Sequence, residues 1–379
     1  MESLKIGNLT VRVPIIQGGM GVAVSLAGLA SAVANEGGIG IISAAGIGMK
    51  EPDYTRNFIE SNKIGLRKEI QKAKSLSNGV IGVNIMMALS DHDNLIRVAI
   101  EENADVIILG AGLPLKIPML IADAGLSGHN TKLIIKVSSA KAAKLIFQIW
   151  AGKYNCIPDA VVVEGPLAGG HLGFSKTDLF DNTKTLSVLI EETVAAVALF
   201  EKQFNREIPV IAAGGIYTGN DIYTIFKSGA KGVKLGTRFV TTFECDASFE
   251  FKESYINSSK EDIVIIDSPL GLPGRAIKNE FIEQVRMGTK KPYKCPWKCL
   301  SSCNYKDAPY CIGQALFNAA QGNLSEGFAF SGSNAYKATK IEHVSDIFHD
   351  LILEYNTASF NEKLIKPISL DFNRFCKTA

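Results

Sequence analysis

Charge of one sign is what this sequence most clearly lacks: 40 Lys and Arg stand against 38 Asp and Glu in 379 residues, a formal net charge of +2. So close a balance creates no global field toward nucleic acid or anionic lipid, so the expected partner is a small molecule and not a nucleic acid. Cysteine is sparse as well. Seven in so long a chain do not make a secreted disulfide scaffold, and the odd count leaves one unpaired under any internal scheme. A reducing cytoplasm is the expected compartment. Low-complexity tracts are missing too.

One stretch, 13–35, lacks any charge and is long enough to span a bilayer. It contains Pro14, Gln17 and the cluster Gly18-Gly19-Met20-Gly21, which fit a strand, a turn and a helix better than one unbroken span. Glu2 and the glycines also argue against a signal peptide. No membrane partner is expected.

What is present is a repeat. Short apolar runs at 13–17, 38–43, 80–85, 106–109, 133–137, 160–164, 210–213 and 232–235 alternate with longer amphipathic or Ala-rich segments, among them 23–35, 95–103, 140–150, 186–204 and 220–228. Runs apolar on both faces suit a parallel sheet covered on both sides, and eight strand–helix units predict a closed (β/α)₈ barrel, the TIM-barrel α/β fold. Helix stops at Asn35-Glu36-Gly37, Asn103 and Ser228-Gly229 support that register. The division expected is a barrel over 1–240, a lid-like insertion over 241–335 where the repeat stops, and a C-terminal segment over 336–379 with a helix near 344–355 packing back on the barrel.

In such barrels the ligand sits at the carboxyl ends of the strands, with phosphate often held after strands 7 and 8. Those strands run into Ala213-Gly214-Gly215-Ile216 and Gly236-Thr237-Arg238-Phe239. Glycine lets backbone N–H groups approach an anion, a following helix N-terminus adds its positive end, and Thr237 offers a hydroxyl. Two ordinary Gly-rich turns are the bland alternative. The phosphate of flavin mononucleotide, FMN, is the expected occupant.

Strand 6 leads into Glu164-Gly165-Pro166-Leu167-Ala168-Gly169-Gly170-His171-Leu172-Gly173. His171 lies just past a strand end among glycines and is the candidate catalytic residue, while Gly170 and Gly173 allow backbone to approach a flat ring. A histidine merely bonded in a turn is the alternative, preferred for His92, His129, His343 and His349. After strand 1, Gly18, Gly19 and Met20 offer close backbone approach and a soft packing surface; a core-filling Met is the competing view. Asn84 at strand 3 is either a partner for a heterocycle edge or a turn cap. Lys136 at strand 5 either stabilises negative charge on a reduced flavin or is a solvated rim residue.

PIIQGGM, GVN, AGGHLG, AAGGI and GTRF, in this order, with GRAIKN at 274–279 after them, resemble the successive motifs of the nitronate monooxygenase family and of the related FMN-dependent enoyl-acyl-carrier-protein reductases. The resemblance implies FMN at the barrel mouth, with Gly18, Gly19, Met20 and Asn84 near the ring, Gly214, Gly215, Gly236 and Thr237 at the phosphate, and His171 facing substrate. It also implies oxidation of nitronates or nitroalkanes with O2 to a carbonyl product and nitrite. The rival keeps the flavin, reduces it with NADH or NADPH, and delivers hydride to an enoyl thioester. A third reading is an FMN-binding redox module without fast turnover. A homodimer is left open.

Two features depart from the family pattern. Pro166-Leu167-Ala168 stands where the family commonly has an acidic residue before AGGH. Cys295, Cys299, Cys303 and Cys311 form a C-x3-C-x3-C-x7-C cluster. Four reduced thiols in a compact lid are expected there in preference to a metal site, because no familiar zinc or ferredoxin spacing matches. Lys290, Lys291, Lys294 and Lys298 nearby are expected to be a solvated rim.

Overall fold

The structure is a computed structural model that describes residues 1–290, 295, 297–304 and 306–365, with side chains through 362. An antiparallel hairpin of β1 (Leu4–Ile6) and β2 (Leu9–Val11) comes first. Eight parallel strands then close a barrel: β3 (Ile15–Gln17), β4 (Ile39–Ser43), β5 (Val80–Met86), β6 (Val106–Gly110), β7 (Lys132–Val137), β8 (Ala160–Glu164), and, after the two-residue β9 (Gly170–His171), β10 (Val210–Ala213) and β11 (Gly232–Leu235). The TIM-barrel expectation is met, and each of the eight predicted runs holds one of these strands.

The barrel interior is filled by small and branched residues such as Ile16, Ile41, Val106, Ile134, Val162 and Ile211, all buried. Leu4, Ile6 and Val11 of the hairpin join the same cluster, so the hairpin plugs one end and leaves the carboxyl end for a ligand. Between the strands run α1 (Ala27–Asn35), α2 (Phe58–Leu76), α3 (His92–Glu101), α4 (Ile117–Asp123), α5 (Ala140–Tyr154), α6 (Leu186–Phe204) and α7 (Gly219–Lys227). After β11 come α8 (Thr237–Val240), α9 (Phe249–Ile256), β12 (Ile263–Asp267), β13 (Pro273–Ile277), α10 (Glu280–Arg286), α11 (Ile312–Ala320) and α12 (Val344–Ile365).

Two expectations need correction. The first helix starts at Ala27 and not at 23, because Ala23 takes φ 60° and the amides of Leu26, Gly28 and Leu29 donate to the carboxylate of Asp246 at 2.7–3.2 Å. That cap comes from more than two hundred residues away. The segment after β11 is also more regular than expected: β12 and β13 form a hairpin that adds β9 as a third antiparallel strand, aligning Gly274 with His171 and Arg275 with Gly170. The last helix packs on α7 and α1 and continues ten residues past 355, to Ile365. Among the described residues no helix is long and apolar enough to cross a membrane.

Candidate functional site

A cavity of about 640 Å³ opens at the carboxyl ends of the barrel strands, within the ~300–1,000 Å³ typical of ligand pockets. It is lined by every candidate the motifs supplied: Gly18, Gly19, Met20, Asn84, Lys136, Gly170, His171, Gly173, Gly214, Gly215, Gly236 and Thr237.

Gly214 and Gly215 take φ 98° and 80°, and a Cβ on either would stand 2.9 Å from Ala168 N or Leu167 Cβ. Glycine there is needed twice over, for a left-handed backbone and to let the β8 turn close against it. The N-terminus of α7 does not give the expected help, because its first amides are taken by the reciprocal cap of Thr218 and Asp221 and by Glu354.

A third loop joins these turns. Gly332 N–H donates to Thr237 Oγ1 at 3.0 Å, and Asn334 Nδ2 donates to Gly215 O at 2.8 Å. Ser331 and Ser333 line the cavity between them, and their buried hydroxyls have no partner among the described residues. Buried hydroxyls are normally hydrogen-bonded, so an unmet pair marks a place where a polar ligand belongs. No sequence signal had singled out this loop.

On the strands beside these turns lies a set of charges. Lys136 Nζ donates to Glu164 Oε1 at 2.7 Å, with side chains 20% and 8% exposed, so Lys136 is not a solvated rim residue. Lys234, at the level of Glu164 on the far side of Ala213, lines the cavity. Enclosure by protein, with Lys136 close by, pushes Lys234 down to about 8. Glu164 and Lys234 sit inside barrel strands that read as plain apolar runs, so the pattern hid them.

The Asn84 side chain carries no hydrogen bond among the described residues, which removes the turn-cap alternative. It packs against the Gly19 backbone instead, where a Cβ on Gly19 would lie 2.3 Å from that of Asn84.

His171 sits on β9, where its Nε2 is 2.6 Å from Ser268 Oγ and its ring meets Phe330 edge-on at 4.9 Å. Burial, with the nearby Lys136 charge, pushes its pKa down to about 4, so the imidazole is neutral at physiological pH. The turn carrying it is held from above: buried Arg275 donates to the carbonyls of Ala168 and Pro166. Of the other histidines, His92 at the start of α3 bonds Leu89 O and His343 bonds Glu244, while the buried Nδ1 of His129 has no partner among the described residues.

The cysteine segment forms part of one wall. Ser90 N–H donates to Cys299 O, Ser301 N–H donates to Ala88 O, and Ser302 lines the cavity. Among the described residues no three His, Cys, Asp or Glu are spaced to hold a metal ion. Burial and the neighbouring cysteines push the Cys299 thiol up to about 12, which keeps it protonated. Lys290 pairs with Glu326 at 2.7 Å; Lys291 and Lys294 lie outside the described residues.

A strand-end cavity with one neutral histidine, an ion pair, a partly enclosed cation and unmet hydroxyls defines a small-molecule enzyme site on a TIM barrel. The nitronate monooxygenase family model matches residues 2–354, and the chain belongs to that family, as an oxidoreductase. The (3aS,4S,5R,7aS)-5-hydroxy-7a-methyl-1-oxo-octahydro-1H-indene-4-carboxyl-CoA dehydrogenase of Mycobacterium tuberculosis is 28% identical over 277 residues, 73% of this chain and 66% of that protein. The chain thus spans just under two thirds of that relative's length. A Staphylococcus aureus (strain Newman) protein described as "Probable nitronate monooxygenase" is 30% identical over 73% of this chain and 78% of its own. Among solved structures, FabK from Thermotoga maritima superposes with TM-score 0.70 and 30% identity, covering 93% of this chain and 95% of that one.

Proposed function

We propose that the protein is an FMN-dependent nitronate monooxygenase, oxidising nitronates with O2 to a carbonyl product and nitrite in the cytoplasm. The observation that carries this reading is the pairing of a neutral, cavity-facing His171 with an anion cradle on the neighbouring loops. The residues present fit FMN. Gly214, Gly215, Gly236 and Thr237, joined by the unmet hydroxyls of Ser331 and Ser333, take the phosphate. Gly18, Gly19, Met20 and Asn84, with Gly170 and Gly173, would hold the ring, and Lys136 would supply positive charge near it.

The flavin supplies the electron transfer and oxygen chemistry when bound. The chain does the rest. Lys234 and the Lys136–Glu164 pair leave one net positive charge in the cavity, which favours a substrate that arrives as an anion. Glu164 is engaged by Lys136, so it is not a free base. His171 hydrogen-bonds the nitronate oxygens, and the apolar walls from Leu270, Leu272 and Phe330 limit water.

The rival reading, reduction of an enoyl thioester with NADH or NADPH, draws on the likeness to FabK. Anaerobic mixing of the holoprotein with propyl nitronate, and separately with NADH or NADPH, while flavin absorbance is followed, tests both. Bleaching by the nitronate supports the monooxygenase. Fast bleaching by a nicotinamide alone replaces it with the reductase.

A further inference from the structure

The hairpin after the barrel brings one hydroxyl onto the histidine. Ser268 directly follows β12 and is 7% exposed. Its main chain is fixed in the hairpin turn by Ser268 N–H to Leu272 O at 3.3 Å and Gly271 N–H to Ser268 O at 2.9 Å. Its Oγ accepts the N–H of Leu270 at 3.2 Å and lies 2.6 Å from His171 Nε2. With the amide donating to that oxygen, the hydroxyl hydrogen has a single acceptor among the described residues, and it is Nε2. A hydroxyl that donates to Nε2 requires that nitrogen to be unprotonated, with the imidazole proton on Nδ1.

We propose that Ser268 is a positioning residue that sets the tautomer of His171, so that the ring presents Nδ1–H to the substrate as a hydrogen-bond donor. This rests on the reading that His171 faces the substrate. The edge contact with Phe330 and the Arg275 bonds to the turn fix the ring plane, and Ser268 then decides which nitrogen carries the proton. Nε2 is occupied by the hydroxyl and Nδ1 already holds its proton, so neither nitrogen is free to take the α proton of a neutral nitroalkane. The substrate must therefore be supplied as the preformed nitronate, by a prior α-deprotonation that His171 does not perform.

Long-range ¹H–¹⁵N spectra of ¹⁵N-histidine-labelled holoprotein read the tautomer directly, with His171→Gln giving the assignment. The wild type is expected to show Nδ1–H at His171. In Ser268→Ala the tautomer preference falls at least fivefold and kcat/KM for propyl nitronate falls about tenfold, mostly in kcat, in line with loss of one orienting hydrogen bond. Ser268→Thr keeps the hydroxyl and restores both. An Nε2–H tautomer in the wild type overturns the proposal whether or not any variant folds, and so does an unchanged tautomer in a folded Ser268→Ala. The spectra need no substrate, so this outcome is separate from whether the enzyme oxidises nitronates.

Discussion

The guanidinium of Arg275 donates to the main-chain oxygen of Pro166 at 2.9 Å, and so ties the segment after the barrel to the turn that carries His171. The same guanidinium reaches the carbonyl of Ala168, and the residue before it, Gly274, is aligned with His171 across the sheet. Two carbonyls held by one planar cation leave that turn little freedom. Arg275→Lys retains charge but not the fork. We expect it to lower kcat/KM about tenfold and stability by ~1.5–3 kcal/mol, the range for hydrogen bonds to charged groups, with flavin content retained. Urea unfolding and steady-state rates check this; wild-type values for both would show that the turn holds itself.

The anion cradle makes a second prediction. Gly215→Asp places a side chain at φ 80°, 2.9 Å from Leu167 Cβ, and adds negative charge where the phosphate belongs. FMN affinity is expected to fall at least a hundredfold in a flavin titration. Ser333→Ala removes one of the unmet hydroxyls and is expected to weaken FMN only several-fold. Affinity unchanged in both variants would move the phosphate to another loop.

The sequence shows strands more reliably than it shows what lies across space. The eight barrel strands were legible because a strand buried on both faces must be apolar throughout, and the glycine turns were legible because they follow those strands. The start of α1 was not, since its cap is Asp246. Ser268, Arg275 and the Ser331–Asn334 loop were equally hidden: each acts on a strand-end turn from beyond residue 260, and no local period records such a contact. GRAIKN at 274–279 was visible as a motif without a role, and its Arg275 proves to hold the histidine turn.

Lys234 gives a prediction in pH. Enclosure holds its folded pKa at about 8 against an ordinary 10.5, so between those values the unfolded chain binds more protons and stability rises with pH. Below about 8 both states are protonated and the whole cost of enclosing the cation remains. In the flavin-free protein, Lys234→Met is therefore expected to be more stable than wild type at neutral pH, with the advantage shrinking toward pH 10. Urea midpoints across that range check it. With flavin bound, loss of the cation is expected to lower the reduction potential, and an unchanged potential would place Lys234 away from the ring.

His171 has the same sign in a lower window. Its folded pKa of about 4 lies below the ordinary 6.5, so the unfolded chain takes up the extra proton as pH falls from 6.5 toward 4, and stability is lost over that interval. Its charge does not change between pH 5.5 and 8, so the kcat/KM profile for propyl nitronate is expected to show no limb near 6.5. A limb there that disappears in His171→Gln would mean that the ring titrates as an exposed histidine does.

Replacing the histidine separates its roles most directly. A general base is needed by a neutral nitroalkane and not by a nitronate, whereas an orienting donor is needed by both. Since Nε2 is engaged by Ser268, we expect the wild type to turn over propyl nitronate but not neutral 1-nitropropane, and His171→Ala to lose about 10²-fold in kcat/KM on propyl nitronate, the cost typical of removing one positioned donor. FMN content should stay near wild type, because the cradle is built from other loops. Wild-type turnover of 1-nitropropane that is abolished in His171→Ala would make His171 a base and contradict the donor role. Loss of flavin would make it structural, and full activity of His171→Ala on propyl nitronate would take the catalytic centre away from β9.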